Sequence, residues 1–230
     1  MSMAFENAAT KSVDVNGTNF VFREMGKKGG VPVVLLHHLT AVLEDWDPRI
    51  VDGLAAQHHV IAFDNRGVGG SGGSTPKTVE EMAQDAVAFI GALGFGKVDL
   101  FGFSLGGFVA QVIAQQQPGL VRNIILAGTG PAGGEGIANV GPVLQDAFGK
   151  AGATNKHPKH FLLFTQTSNG QAAADDFLRR LKNARRTSTR PYATKPFKLS
   201  LRRSRPGDRA MPPSSGRFSI LSWSSMAMTM

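Results

Sequence analysis

The sequence predicts an α/β protein, a doubly wound and mostly parallel sheet with a helical lid, on three observations. Continuous apolar runs at 31–36, Val60–Phe63, Val98–Phe103 and 124–127 suit strands covered on both faces. Between them, at about residues 48–57, 79–93 and 105–117, apolar residues recur at helical spacing. Segments that alternate in this way close as a parallel sheet with helices on both sides. Ahead of them, Lys11–Val15 and residues 20–23 flank Asn16-Gly17, a two-residue turn signal, so the chain opens with an antiparallel hairpin.

From Gly128 to Gly136 the chain is rich in Gly, Ala and Pro, and helical spacing returns at 140–148 and 161–181. These helices are expected to form a lid over the carboxyl ends of the strands, where open α/β sheets place their ligands. The organisation read from the sequence is a core over residues 1–135, a lid over 136–182 and a basic tail over 183–230, with the late strands of the sheet missing.

At 230 residues and 42% apolar content, the chain can bury one substantial core. It has no cysteine, which excludes disulfides and thiolate metal sites. Neither a bilayer-spanning apolar run nor a charged-then-apolar leader is visible, so a cytoplasmic protein with no membrane partner is expected. The net charge of +8 is unevenly held: residues 1–178 carry 12 Lys/Arg against 16 Asp/Glu, and residues 179–230 carry 13 against 1. A basic tail could neutralise phosphates, but Tyr192, Phe197, Phe218 and Trp223 are sparse and unpatterned within it. Nucleic acid is therefore not the expected partner; a small-molecule substrate is.

The stretch Phe101-Gly102-Phe103-Ser104-Leu105-Gly106-Gly107 sets a serine between two glycines, directly after a strand and directly before a helix whose Phe108, Val109, Val112 and Ile113 keep helical spacing. That is the Gly-x-Ser-x-Gly nucleophile elbow, in which the serine occupies a strained corner and the residues two before and two after it are pressed together. Two further motifs accompany it: Leu36-His37-His38-Leu39 after the 31–36 strand, and Asp64-Asn65-Arg66-Gly67-Val68-Gly69-Gly70-Ser71 after Val60–Phe63. With these three motifs the chain, from about Lys11 to Leu181, resembles the α/β-hydrolase superfamily, in its serine esterase and cofactor-free haloperoxidase branch. The resemblance implies Ser104 as nucleophile in acyl transfer on a small ester-like or carbonyl substrate, with no cofactor. Carried over by position, it implies Leu105 and Leu39 as the backbone oxyanion donors and Gly102 and Gly106 as the elbow glycines. His37, His38, Trp46 and Phe103 are expected to line the site, with a place in the buried core an equal reading for Trp46. At position 38 this sequence departs from the family, which usually has glycine there. Dehalogenases and epoxide hydrolases of the same fold need an aspartate where Ser104 stands. Asp64 matches a turn-forming residue and not a triad acid.

Adjacent histidines at 37–38 and 58–59 point in different directions, and no spaced carboxylate completes a metal site, so none is expected. His58 and His59 read as a surface turn before a strand. In the family a histidine takes the serine proton and an acid orients it, in the order Ser, Asp or Glu, His. After Ser104 the only histidines are His157 and His160, both in the lid segment, and neither matches the family's position. Glu135, Asp146, Asp175, Asp176 and Asp208 likewise follow no strand. The tail offers a reason. Read from each third base, Met226-Ala227 must encode glycine, Met228-Thr229 must encode aspartate, and Trp223-Ser224 encodes valine if the serine uses its four-codon box. A Leu-Val-Val-Asn-Gly-Asp-Asp-Asp segment is thereby permitted, similar to the late strand and acid-bearing loop of the family. The expectation is a frameshift beginning near Asn183 to Thr187, with the triad acid and histidine in the frame not read. This chain is then expected to be an impaired hydrolase; the alternative is a catalytically silent truncated product or a non-catalytic binding relic with a basic tail.

Without its late strands, the strand at 124–127 is expected to become a sheet edge with unpaired backbone groups. Low solubility or chaperone dependence is the expected outcome on expression. A monomeric, cooperative unfolding transition at ordinary temperature is the contrary result.

Overall fold

The computed structural model describes residues 4–186 together with Ser219 and Ile220. Its strands are β1 (Lys11–Val15), β2 (Thr18–Met25), β3 (Val33–Leu36), β4 (Val60–Phe63), β5 (Val98–Phe103), β6 (Val121–Ala127) and β7 (Ser219–Ile220). The helices are α1 (Pro48–Ala55), α2 (Val79–Ala92), α3 (Leu105–Gln116), α4 (Val140–Thr154), α5 (Lys159–Leu162) and α6 (Ser168–Arg186).

The hairpin turns at Asn16 and Gly17, both at positive φ (52° and 79°), with Asp14 Oδ1 accepting from Gly17 N at 3.0 Å. The strands lie in the order β1-β2-β4-β3-β5-β6-β7. Pairing is antiparallel from β1 through β2 to β4 and parallel beyond. All four residues of β3 and of β4 are buried, as uninterrupted apolar runs require in the middle of a two-faced sheet. On one face α2 and α3 enclose Phe20, Phe63, Phe89, Leu100 and Ile113, with Phe63 stacked on Phe89 at 4.3 Å between ring centroids. On the other face Phe5, Leu35, Leu43, Trp46 and Val51 form a second core around α1.

Two expectations are refined. The edge at β6 is covered over two residues, because Ser219 and Ile220 pair in parallel with Ile125 and Leu126. The helical reading over 161–181 is interrupted: α5 ends at Leu162 and α6 begins at Ser168, because the apolar residues there read through a turn that Gln166 and Gln171 hold by donating to the His160 carbonyl. The frame of residues 223–230 concerns a segment outside the described residues. Among the described residues, no helix is long and apolar enough to cross a membrane.

Glycine is required where α3 meets the sheet. A methyl group on Gly106 would be driven into the Leu36 carbonyl and lie 2.8 Å from that of His37, both backbone atoms that cannot swing aside. Gly106→Ala is expected to destabilise the fold by about 3 kcal/mol or to prevent folding. Gly149→Ala, in an open stretch of α4, should instead stabilise by about 0.5–1 kcal/mol. Chemical denaturation of the two variants beside the parent reads both values.

Candidate active site

Parallel pairing of β3 with β5, in the register Leu36 to Gly102, brings the loop after Leu36 beside the elbow after Phe103. Ser104 sits between the end of β5 and the first residue of α3 at φ 53°, ψ −114°, a conformation that L-residues adopt only when their surroundings hold them. The holding contacts are visible. Ser104 N donates to the Ala127 carbonyl at 2.9 Å, and the Ser104 carbonyl accepts from Gly107 N at 2.9 Å. A side chain on Gly102 would lie 2.5 Å from the Gly106 carbonyl, and one on Gly107 would collide with Thr129. The Ser104 hydroxyl makes no hydrogen bond with another described residue.

The N–H of Leu105 opens α3, and the N–H of Leu39 lies in the loop after β3. Neither donates a hydrogen bond among the described residues. The 12-residue α3 also directs the positive end of its dipole at this corner. Geometry of this kind can receive a developing negative charge.

His37 is 3% exposed and tilted over Trp46 at 4.6 Å, and neither of its ring nitrogens, nor the Trp46 indole N–H, has a hydrogen-bond partner among the described residues. Trp46, expected to line the site, is itself 3% exposed and belongs to the α1-side core, with its ring edge on Phe101. His38 sets its ring edge-on to Phe103 at 5.2 Å, and its Nδ1 lies 2.7 Å from the Leu39 carbonyl. Burial lowers the pKa of both histidines. For His37 the shift is large, helped by His38 and Lys159 and opposed by Asp45. His38 is pushed down to about 4, with Lys159 adding to burial and with the Leu39 carbonyl and Asp45 opposing.

The lid reaches this loop through two ion pairs. Lys159 Nζ lies 2.8 Å from Asp45 Oδ1, with both side chains largely buried, while Arg180 makes a two-pronged contact to Asp47 at 2.9 and 2.7 Å. Asp47 also accepts from Arg49 N at the start of α1. These four charged residues carry no motif in the sequence; the only signal is an acid-rich stretch, Glu44-Asp45-Trp46-Asp47, followed much later by lid cations.

The later histidines stay in the lid. His160 is buried, with Nδ1 3.2 Å from Gln171 Oε1 and Nε2 3.4 Å from Asp175 Oδ1, and His157 Nδ1 accepts from Lys159 N. Asp64 is structural, as its motif implies: Oδ1 accepts from Leu43 N at 2.6 Å, Oδ2 from Gly70 N at 2.8 Å, and its carbonyl from Ser71 Oγ at 2.7 Å. His58 is exposed as expected, but His59 is not: it is 4% exposed, edge-on to Phe95 and 3.7 Å from Glu24. Among the described residues no cluster of three metal-ligating side chains occurs.

Removing Lys159 leaves the Asp45 carboxylate without its cation in a buried place, so Lys159→Met should cost about 3 kcal/mol of stability. The same change takes a positive charge from beside His38, and its pKa should rise above about 4, which an NMR titration of the ring protons would follow. Because the folded value lies below the ordinary 6.5, the unfolded chain binds the extra proton first. Stability from a neutral His38 is thus complete above about pH 6.5 and is lost as pH falls towards 4. Denaturation midpoints across that range should fall with acid, less steeply in Lys159→Met.

Residues 31–225 match the family model of the alpha/beta hydrolase fold, a span that runs on through the basic tail. An alpha/beta hydrolase fold protein from Chitinophaga pinensis superposes with a TM-score of 0.73 at 35% identity, covering 79% of this chain and 65% of that one. A non-heme chloroperoxidase of Streptomyces lividans is 34% identical over 118 residues, 50% of this chain and 43% of its own length. A putative carbamate hydrolase RutD of Azorhizobium caulinodans is 33% identical over 98 residues, 42% of this chain and 37% of its own length. The matched part thus spans less than half of either curated relative. With the elbow, the register that positions it and the family match in agreement, the chain belongs to the α/β-hydrolase fold family.

Proposed function

We propose that Ser104 is the nucleophile of an acyl-transfer reaction that hydrolyses a small ester-like or carbonyl substrate. The observation that carries this reading is the serine held at φ 53° between β5 and α3, with the Leu105 N–H at its own corner and the Leu39 N–H in the loop that the β3–β5 register brings beside it, neither with a partner among the described residues. In the proposed reaction the hydroxyl adds to the substrate carbonyl and passes its proton to a base. The new oxyanion is received by the Leu39 and Leu105 N–H groups, the leaving group departs with a proton, and water then cleaves the acyl-enzyme. The relative named as a putative carbamate hydrolase is consistent with hydrolysis at a carbonyl. The setting proposed for this work is the cytoplasm, on a small-molecule substrate.

A second reading is favoured by the engagement of both later histidines within the lid. On that reading the chain binds and acylates but does not turn over, and the triad acid and histidine belong to the frame that the tail does not read. Translating the coding DNA from the Ala172 codon onward in every frame separates the two. An Asp-bearing loop followed by a Gly-His segment in another frame makes this chain a broken copy of a complete hydrolase. Stop codons there remove the frameshift.

The chemical test uses the chain as it stands, with a fluorophosphonate probe and p-nitrophenyl acetate. Labelling of Ser104 and ester turnover are expected, and both should fall to background in Ser104→Ala. Labelling without turnover supports the second reading. An unlabelled, folded parent chain overturns the first.

A further inference from the structure

Four non-glycine residues among those described have positive φ: Asn16, Thr40, Ser104 and Asn155. The two asparagines occupy a hairpin turn and a helix end, where asparagine tolerates the left-handed region. Ser104 is the elbow. That leaves Thr40, a β-branched residue at φ 66°, in the loop that carries the Leu39 N–H.

The loop is a tight turn, closed by Ala41 N donating to the His38 carbonyl at 3.3 Å. Of its two central residues only the second, Thr40, has positive φ, which makes it a type II turn with threonine at the position that calls for glycine or asparagine. Type I and type II turns differ by a flip of the central peptide, here the one joining Leu39 to Thr40. A flip to type I would bring Thr40 back to negative φ and relieve its strain. It would also break the hydrogen bond from His38 Nδ1 to the Leu39 carbonyl, 2.7 Å long. A carbonyl only accepts, so Nδ1 carries the proton. The ring is neutral near pH 7, in the Nδ1–H form, and its edge rests on Phe103, the neighbour of Ser104.

Resting on the proposed serine chemistry, we propose that His38 is a positioning residue: its Nδ1–H holds the Leu39–Thr40 peptide in the strained type II turn and so sets the oxyanion loop beside Ser104. The flip leaves the Leu39 N–H, in the preceding peptide, in place; it reverses the dipole of the Leu39–Thr40 peptide, and with it that peptide's part of the field that a developing oxyanion would meet. A side chain here does what backbone choice does elsewhere, for a glycine at position 40 would favour the type II form unaided.

The experiment compares His38→Asn, His38→Phe, and His38→Phe combined with Thr40→Gly, in p-nitrophenyl acetate kinetics and in crystal structures. Asparagine places an amide nitrogen where Nδ1 stands and keeps the donor, whereas phenylalanine keeps the ring and its contact with Phe103 but donates nothing. Expected are a kcat within about threefold of the parent for His38→Asn, and a fall of about tenfold or more at little-changed KM for His38→Phe. Recovery is expected when Thr40→Gly is added, as is a Thr40 φ turned negative in the His38→Phe structure. Equal rates for His38→Phe and the parent, or a His38→Asn as slow as His38→Phe, would overturn the proposal. If the parent chain shows no Ser104 reactivity, the serine reading fails on its own. The His38→Phe structure then still decides the turn: a flipped peptide supports the positioning role, and an unchanged one removes it.

Discussion

The close approach of the first turn of α3 to the end of β3 is the contact on which the rest of the site depends. Gly106 lies against the Leu36 and His37 carbonyls, Gly102 against Gly106, and Gly107 against Thr129. Backbone from β3 and β5 thus meets the first turn of α3 at one point, and the Thr129 side chain, after β6, closes on the same turn. Ser104 is fixed in its sparsely populated conformation because both of its peptide neighbours are committed to this junction, one by the bond to Ala127 and the other by the helix it starts. Strain of this kind persists only where surrounding packing determines it, and the two sandwiched cores supply that packing.

A second layer of order is electrostatic. The short stretch from Val42 to Asp47 gathers contacts from distant parts of the chain: Asp64 accepts from Leu43 N, Lys159 meets Asp45, and Arg180 meets Asp47. Lid and core are therefore joined by charge at the loop that neighbours the elbow. Burial lowers the pKa of His37 and His38, and the fixed Lys159 ammonium adds to it, so both rings are held neutral although Asp45 pulls the other way.

Much of this fold was legible because its determinants are local. The apolar runs, the Asn16-Gly17 turn and the serine between glycines each fit within a few residues and report steric requirements directly. Asp64 was legible as a turn residue for the same reason. The ion pairs were not, since Lys159 and Asp45 are 114 positions apart and Arg180 and Asp47 are 133. No periodicity records such a pairing. The burial of His59 depends on Phe95 in the chain segment after α2 and so was equally hidden. Trp46 could be read as a pocket wall or a core residue, and only the placement of α1 and Phe101 decides for the core. A two-residue strand such as β7 carries no alternation at all.

Asp47 does two things at once, capping the first turn of α1 and receiving Arg180 from the lid. Farther along the same helix, Asp52 accepts from Phe5 N, and the Phe5 carbonyl accepts from the buried Arg23. Lid, α1 and the amino-terminal residues are consequently linked in series by polar contacts. A load applied at the amino end, by a fusion partner or a surface tether, would be transmitted through these contacts to α1 and on to the lid anchor.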